Sequence, residues 1–335
     1  MIVALKYLLE RLGSSPIRLG TRDSILALWQ ANHVKGILES QGLQVEIIKI
    51  KTKGDKILNS PLAAIGGKGL FTKELEDSLL SREIDLAVHS LKDVPVDISS
   101  GLCLVAISAR EDSRDCYVSL NHPRFSDLPI GAKIGTTSLR RGMQLKRLRP
   151  DLDSLSLRGN VQTRLDRLAR GDFQAIVLAL AGLRRLGLVD SKFFISPFEL
   201  DDMVPAMGQG ALGIECREAG GSLDSRDWAI REILHALLHN EEAAFCCELE
   251  RYFIKLLGGS CQSPIGVHVR FIESNSLQIS CIAGNLTASK ILKKQVFCHK
   301  SEANKTIVSI VEELMDEGLE SILHEVLSGL PSAQG

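Results

Sequence analysis

The chain has 335 residues, 44% of them hydrophobic and 24% charged, with 40 Lys+Arg against 41 Asp+Glu. At roughly 100–200 residues per domain, that length makes two or three domains, with enough core to fold without disulfides or metals. The balanced charge excludes an overall basic nucleic-acid binder, and no apolar run reaches the ~18 residues of a membrane span.

In chain order, Met1 to Leu12 is apolar but broken by Lys6, Glu10 and Arg11, and it lacks a small-residue cleavage site. It reads as a short amphipathic extension rather than a signal peptide. Ile17 to Gly20 is a strand. Thr21, Asp23 or Ser24 caps a helix whose apolar stripe is Ala27, Ala31, Val34 and Leu38. Val45 to Ile50 is a strand, Leu70 to Leu80 a helix and Asp85 to Leu91 a strand. This alternation over 16–108 predicts an α/β layer with a mostly parallel sheet. Residues 113–202 repeat the plan. A strand at Lys133 to Gly135 is followed by helices at Leu139 to Leu148 and Val161 to Ala169, and by a buried strand at Ala175 to Ala181. Gly20-Thr21-Arg22-Asp23-Ser24 in one half answers Gly135-Thr136-Thr137-Ser138 in the other. Each sets hydroxyl residues between a strand and a helix N-terminus, where free N–H groups and the helix dipole suit an anion. Ordinary strand–turn–helix junctions share that look.

The order reverses over 226–330. Helices at Asp227 to His239 and Glu241 to Leu257 precede three strands, near Ile265 to Phe271, Leu277 to Ala283 and Leu292 to Cys298. A long amphipathic helix from Thr306 to Leu327 closes an α+β domain with an antiparallel sheet. Gly220 to Ser222 marks a linker, and Pro331 to Gly335 a disordered tail.

Charge is unevenly spread. Residues 131–190 hold 12 Lys+Arg against five Asp+Glu, an excess of seven, so the rest of the chain carries −8. Arg140 and Arg141 open a helix, where cations oppose the dipole, so an anion is expected there. Arg147, Arg149, Arg167 and Arg170 fit a solvated helix face instead. Phe173 is the only aromatic in the segment, which leaves no stacking platform for nucleic acid. Lys92 and Asp93 follow a strand, and Pro95 keeps Val94 out of the α region, so the pair sits on a loop at a strand end where α/β sheets bind ligands. A solvated turn is the plainer reading. His89 reads as a hydrogen-bonded core residue.

Gly208 to Gly213 matches G-x-G-x-x-G but leads into a strand-like run, which excludes dinucleotide binding. No H-E-x-x-H and no paired Cys/His set is present, so no metal is expected. The eight cysteines lack a C-x-x-C and any regular framework, which fits free thiols in a reducing cytoplasm. Cys103, Cys216, Cys281 and Cys298 read as small core residues. Cys261 lies instead in the polar loop Gly258-Gly259-Ser260-Cys261-Gln262-Ser263-Pro264, where a thiol is accessible as a nucleophile or attachment point.

In order, these motifs resemble the hydroxymethylbilane synthase (porphobilinogen deaminase) family over nearly the whole chain. The motifs that carry the resemblance are Gly20 to Ser24 with Leu28-Trp29-Gln30, Gly66 to Phe71 with Lys73-Glu74-Leu75, Ala87 to Pro95, Gly135 to Arg141, Leu157 to Arg164, Ala181 to Gly187, Gly208 to Ala211, and the Cys261 loop. The resemblance implies two α/β domains of the type II periplasmic-binding kind around a cleft, 16–108 with 209–225 and 113–202, and the α+β domain 226–330. It implies a transferase of porphyrin and heme biosynthesis. Four porphobilinogen units are joined head to tail with loss of ammonia, and water then releases the linear tetrapyrrole. The growing chain is held on a dipyrromethane cofactor in thioether linkage to the loop cysteine, here Cys261.

By motif match, the cofactor is contacted by Lys92, Ser90, Thr136, Ser138, Arg140, Arg141 and Arg158. The substrate is bound by Arg22, Ser24, Gln30, Lys68, Phe71, Arg158, Arg164 and Arg185, with its carboxylates on Arg22, Ser24, Arg158, Arg164 and Arg185. Asp93 faces the pyrrole nitrogens and stabilises the cation left when ammonia departs. A mobile loop at Asn59 to Gly67 covers the cleft. The family implies a cytoplasmic monomer, with no nucleic-acid or membrane partner, whose product passes to uroporphyrinogen-III synthase.

Two departures stand out. The family's Gly-Gly-Cys is Gly259-Ser260-Cys261 here, which costs backbone freedom before the thiol, and Ile25 replaces a common proline. The competing class is a non-catalytic anion-binding module of the periplasmic-binding type.

Overall fold

The computed structural model describes residues 8, 12, 15–52, 54, 69–189, 192–218, 225–258 and 263–328. Lys68, Cys261, the Asn59 to Gly67 loop, the linker at Gly220 to Ser222 and the tail at Pro331 to Gly335 lie outside them, as does all of the Met1 to Ser14 extension except Leu8 and Leu12. The chain divides into two compact units. One comprises Met1–Ile57, Gly69–Arg110 and Ala211–Phe245; the other is formed chiefly by Glu111–Gly210 and Cys246–Gly335.

The first unit is built on β1 (Ile17–Arg22), α1 (Ile25–Ser40), β2 (Val45–Ile50), α2 (Lys73–Leu80), β3 (Leu86–Ser90), β4 (Leu102–Ile107), and the returning β10 (Leu212–Arg217). Its sheet order is β2-β1-β3-β10-β4. β1 pairs in parallel with β2 and β3, whereas β10 is antiparallel to both β3 and β4. The sheet is therefore mixed rather than mostly parallel. The reason is the return of the chain, which inserts β10 between two strands laid down earlier. That insertion also settles Gly208 to Gly213, whose last residues are strand.

In α1 the expected stripe is buried: Ala27, Ala31, Val34 and Leu38, together with Gln30, with Ser24 as the N-cap. Helix α2 starts at Lys73, one turn later than Leu70, after a left-handed Gly69. Arg226–Leu238 (α6) buries Ala229, Ile230, Ile233, Leu234 and Leu238 in the same core as Ile17, Leu19, Leu86 and Ile214. The helix expected to open a third domain is thus part of the first sheet's core, and Leu8 and Leu12 are buried there too.

The second unit repeats the pattern with β5 (Asp115–Ser119), β6 (Lys133–Gly135), α3 (Leu139–Leu148), β7 (Asp153–Leu155), α4 (Val161–Ala169), β8 (Ala175–Ala179), the short α5 (Leu180–Arg185) and β9 (Phe194–Pro197). Its sheet order is β7-β6-β8-β5-β9, with the same three parallel strands followed by antiparallel ones. The equivalence extends to single residues. Gly20 pairs with Ala87 and Gly135 with Ile176. A Cβ on Gly20 would lie 2.3 Å from Ile84 Cδ1, and one on Gly135 2.8 Å from Leu157 Cδ2, so both strands favour a bare backbone near their carboxyl ends. The apolar run at Ala175 to Ala181 is strand only to Ala179 before it turns helical.

The same unit contains the antiparallel sheet β11-β12-β13 (Ile265–Glu273, Ser276–Gly284, Ile291–His299). Helix α3 binds it through Val204 and Pro205. Gln144 brackets the Val204 backbone at both its N–H and C=O (2.7 and 3.0 Å), Val267 N–H donates to Pro205 C=O, and Met143, Val204 and Ile282 pack together. Helix α7 (Glu241–Leu256) runs from the first unit into the second along the chain. The long terminal helix expected from Thr306 to Leu327 is two helices, α8 (Ala303–Asp316) and α9 (Leu319–Ser328), broken at Gly318 with φ of 92°. Only a residue without Cβ holds that angle cheaply. Gly318→Ala should lower stability by about 1–2 kcal/mol. The check is a fall in the urea midpoint at unchanged denaturant slope, and an unchanged midpoint would contradict the assignment.

Candidate active site

In the first unit, side chains named from the motifs gather at the carboxyl ends of β1 and β3. After Ser90 the chain makes a single 3-10 turn, Leu91–Asp93. Leu91 N–H is held by Ala211 C=O, and Val94 N–H by Leu91 C=O. Leu91 and Val94 are buried, so packing fixes the turn and leaves Lys92 and Asp93 half-buried at its surface. Among the described residues, no ion pair or side-chain hydrogen bond engages Asp93.

Gln30, named from the motif as a substrate contact, is buried, and its Nε2–H donates to Ser90 Oγ at 2.9 Å. Here it orients Ser90. Ser24 Oγ accepts from Ala27 N–H at 3.2 Å and so spends its oxygen on the helix cap. Arg22 lies over the Phe71 ring, 4.2 Å from its centroid, a cation–π contact that aligns the guanidinium. His89 is buried, with Nε2 3.0 Å from Glu215 Oε2, and is a core residue as its sequence context suggested.

In the second unit, the turn after β6 is self-supporting. Thr136 Oγ1 accepts from Ser138 N–H, and Ser138 Oγ accepts from Arg141 N–H as the N-cap of α3. The next two residues alter the sequence argument. Arg140 and Arg141 are buried, and both pair with Asp115, Arg140 Nη1 at 2.7 Å from Oδ2 and Arg141 Nη2 at 2.7 Å from Oδ1. Arg140 also donates to Val204 C=O, Arg141 to Val177 C=O, and Gln209 Nε2 to Asp115 Oδ1. The anion that two dipole-opposing arginines demanded is therefore an in-chain carboxylate. One carboxylate against two guanidiniums still leaves one net positive charge at a helix N-terminus. Burial alone would raise the Asp115 pKa, but the two guanidiniums outweigh it and hold it well below the usual carboxylate range. The sequence held one usable signal for Asp115, a lone acid opening an apolar strand.

Arg158 is half-buried, and burial lowers its pKa from the ordinary guanidinium value. Arg164 follows the cap Asn160 and donates from Nε to Gly159 C=O at 2.8 Å. Arg185 donates to Gly210 C=O at 2.6 Å; burial lowers its pKa, with Glu111 acting in the opposite direction. Arginines away from the strand ends are tied to neighbouring acids: Arg149 to Asp151, Arg167 to Asp172, and Arg184 to Glu111. Metal-ligating side chains come together at His235, His239 and Glu241. There His239 Nδ1 accepts from Ile107 N–H at 3.4 Å, which leaves the proton on Nε2, facing Glu241 at 3.7 Å, where a metal would need the lone pair.

Removing the Asp115 charge leaves two buried guanidiniums uncompensated. Asp115→Asn should therefore cost about 3–5 kcal/mol at neutral pH, read from urea midpoints. Because the folded pKa is lowered, the Asp115 contribution is complete above the unfolded value of about 4 and is lost as pH falls through the folded one. The gap between wild type and variant should narrow only in strong acid, and a gap that closed near neutrality would contradict the pairing.

Comparison with known proteins agrees with these motifs. The family model for the dipyromethane cofactor binding domain of porphobilinogen deaminase matches residues 17–224, and that for the C-terminal domain of porphobilinogen deaminase matches residues 244–316. A porphobilinogen deaminase from Campylobacter curvus is 48% identical over 309 residues, 92% of this chain and 96% of that one. One from Helicobacter hepaticus is 53% identical over 280 residues, covering 83% and 84%. Among solved structures, a periplasmic substrate-binding protein of an ABC transporter from Coxiella burnetii aligns at 16% identity, covering 68% of this chain and 95% of that one, with a TM-score of 0.42. The fold class rests on the two equivalent five-stranded sheets and the antiparallel sheet themselves. With a family model matched over more than half its length, the chain belongs to the porphobilinogen deaminase family.

Proposed function

We propose that the chain joins four porphobilinogen molecules head to tail, releasing ammonia at each condensation, and then frees the linear tetrapyrrole hydroxymethylbilane with water. The observation that carries this reading is Asp93. It is a half-buried carboxylate on a turn fixed by packing, at the end of β3, in a chain of this family.

The donor chemistry fits a dipyrromethane, whose rings carry acetate and propionate groups. The second unit offers a net positive helix N-terminus at Ser138, Arg140 and Arg141, the hydroxyl of Thr136, and the half-buried Arg158 and Arg164. The first unit adds Ser90 and Lys92 for the cofactor. When bound, through Cys261, the cofactor supplies the pyrrole carbon to which the first porphobilinogen is joined. By motif match, substrate carboxylates are assigned to Arg22 in the first unit and to Arg158, Arg164 and Arg185 in the second; Lys68 and Phe71 are assigned to the substrate on the same ground, and Ser24, whose oxygen caps α1, could offer only its hydroxyl proton. Gln30 acts through Ser90.

Asp93 accepts hydrogen bonds from pyrrole N–H groups and stabilises the positive charge that develops as ammonia leaves. Carboxylate recognition by a fixed guanidinium is bidentate and specific, which suits a substrate bearing two carboxylates per ring. The same reading makes the protein a cytoplasmic monomer of tetrapyrrole biosynthesis that passes its product to uroporphyrinogen-III synthase.

Two measurements test the reading. Intact mass of Cys261→Ser should show no dipyrromethane adduct, and turnover should be lost; a full adduct on another cysteine would remove Cys261 from the mechanism. In cofactor-loaded Asp93→Asn, kcat should fall about 100- to 1000-fold with KM little changed, since the charge matters in the transition state. Asp93→Glu should retain more activity than Asp93→Asn. Near wild-type ammonia release by loaded Asp93→Asn would reduce Asp93 to a positioning residue.

A further inference from the structure

We propose that Cys103 and Cys216 form an oxidative modification site, a dithiol that a peroxide converts reversibly into a disulfide bridging β4 and β10. The two residues are direct partners in the antiparallel ladder, and their sulfurs already touch at 3.8 Å. Two residues along, Glu218 N–H bonds to Gly101 C=O, which puts Cys103 and Cys216 in a hydrogen-bonded pair. The Cα atoms of such a pair stand about 5.5 Å apart, inside the range of roughly 4.4–6.8 Å that a disulfide spans. Side-chain rotation can therefore close the remaining gap without moving either strand.

The two thiols are chemically unequal. Cys103 lies on the sheet's edge strand and is half-buried, so a small oxidant reaches it. The hydrogen bond with the Cys216 thiol lowers the Cys103 pKa; burial opposes this and nearby Arg231 assists. Cys216 is 2% exposed. Cys116 and Cys281 provide the contrast, since burial pushes both thiols up to about 12.

The chemistry balances with a peroxide as the sole oxidant. The Cys103 thiolate attacks the O–O bond and takes one oxygen, giving a sulfenic acid, while the other oxygen leaves as alcohol or water. The Cys216 sulfur then attacks the sulfenic sulfur. The S–S bond forms, the S–O bond breaks, and water departs with the Cys216 proton. Two electrons pass from the thiols to one peroxide. The bridge pins edge strand β4 to its neighbour. Cys216 pairs with Leu86 at the start of β3, at the other end of that strand from the Asp93 turn, so the bridge leaves the candidate active site alone.

The test uses fully reduced holoenzyme with one equivalent of hydrogen peroxide, trapping with N-ethylmaleimide, and peptide mass spectrometry without reductant. The expected result is a linked peptide pair carrying Cys103 and Cys216, lighter than their sum by two hydrogens and abolished by dithiothreitol. The thermal midpoint should rise by several degrees on oxidation. Cys103→Ser should lose the link at least tenfold while turning over within twofold of wild type. Full N-ethylmaleimide labelling of both wild-type cysteines after peroxide would overturn the proposal, as would Cys103 passing to sulfinic acid without a link.

Discussion

A carboxylate shut off from water must be answered by fixed donors, and the second unit is organised around that demand at Asp115. The residue opens β5, has no exposed surface, and collects Arg140, Arg141 and Gln209. Each partner is itself attached elsewhere. Arg140 reaches Val204, whose backbone Gln144 also grips, and Pro205 next to it bonds the third sheet. Gln209 stands in the Gly208 to Gly210 loop, where Glu250 accepts from Gly208 N–H and Arg185 donates to Gly210 C=O. Removing one member of such a cluster exposes the rest to the full cost of buried, unanswered charge. The helix start, the loop of the returning chain and the antiparallel sheet are thereby held by one interaction.

The first unit keeps its structural charges at the opposite end from its chemistry. Arg18, preceding the middle of β1, and Asp85, preceding β3, pair bidentately, and Arg217 at the end of β10 joins Asp85 to Asp227 of α6. Arg217 also caps the carbonyls of Leu79 and Ile84, so one guanidinium meets the sheet and the end of α2 together. At the other ends of β1 and β3 stand Arg22, Ser24, Lys92 and Asp93. A sheet pinned at its base holds the turns at its upper end in place. That division of labour leaves Asp93 clear of ion pairs among the described residues.

What the sequence made legible follows from which forces are local. Caps, apolar stripes and strand alternation depend on neighbours a few residues away. Val45–Ile50, Lys133–Gly135, Leu139–Leu148 and Val161–Ala169 accordingly have the bounds their patterns indicate. The internal repeat was legible too, because Gly20 and Gly135 meet the same steric requirement at the same place. Long-range pairings were not. Nothing near Leu212 says that its strand enters between β3 and β4, nothing near Arg226 says which core its helix joins, and Asp115 lies 25 residues from the first arginine it neutralises. The Gly318 break was overlooked because the apolar stripe continues in register on both sides of it. The motifs named their residues from local sequence, but that Gln30 and Ser24 carry polar groups to neighbouring side-chain and backbone atoms is a distinction that needs coordinates.

On the proposed reading, half-burial of the remaining arginines bears directly on selectivity. Burial lowers the pKa of Arg158 and Arg185, yet a guanidinium starts so high that it stays charged at any physiological pH. What burial changes is the strength of the field. Two opposite charges about 4 Å apart gain about 1 kcal/mol in bulk water but about 4 kcal/mol at the effective dielectric of a protein surface site. Carbonyl contacts such as Arg164 to Gly159 and Arg185 to Gly210 orient a guanidinium without cancelling its charge. Holding the cation half out of water therefore costs something in the free protein and returns more with each carboxylate that arrives. A ligand with one carboxylate collects that return once; a pyrrole with acetate and propionate collects it twice, and several linked rings collect it many times over. On the proposed reading, discrimination for a polycarboxylate chain over small anions then follows from several such arginines each meeting a carboxylate.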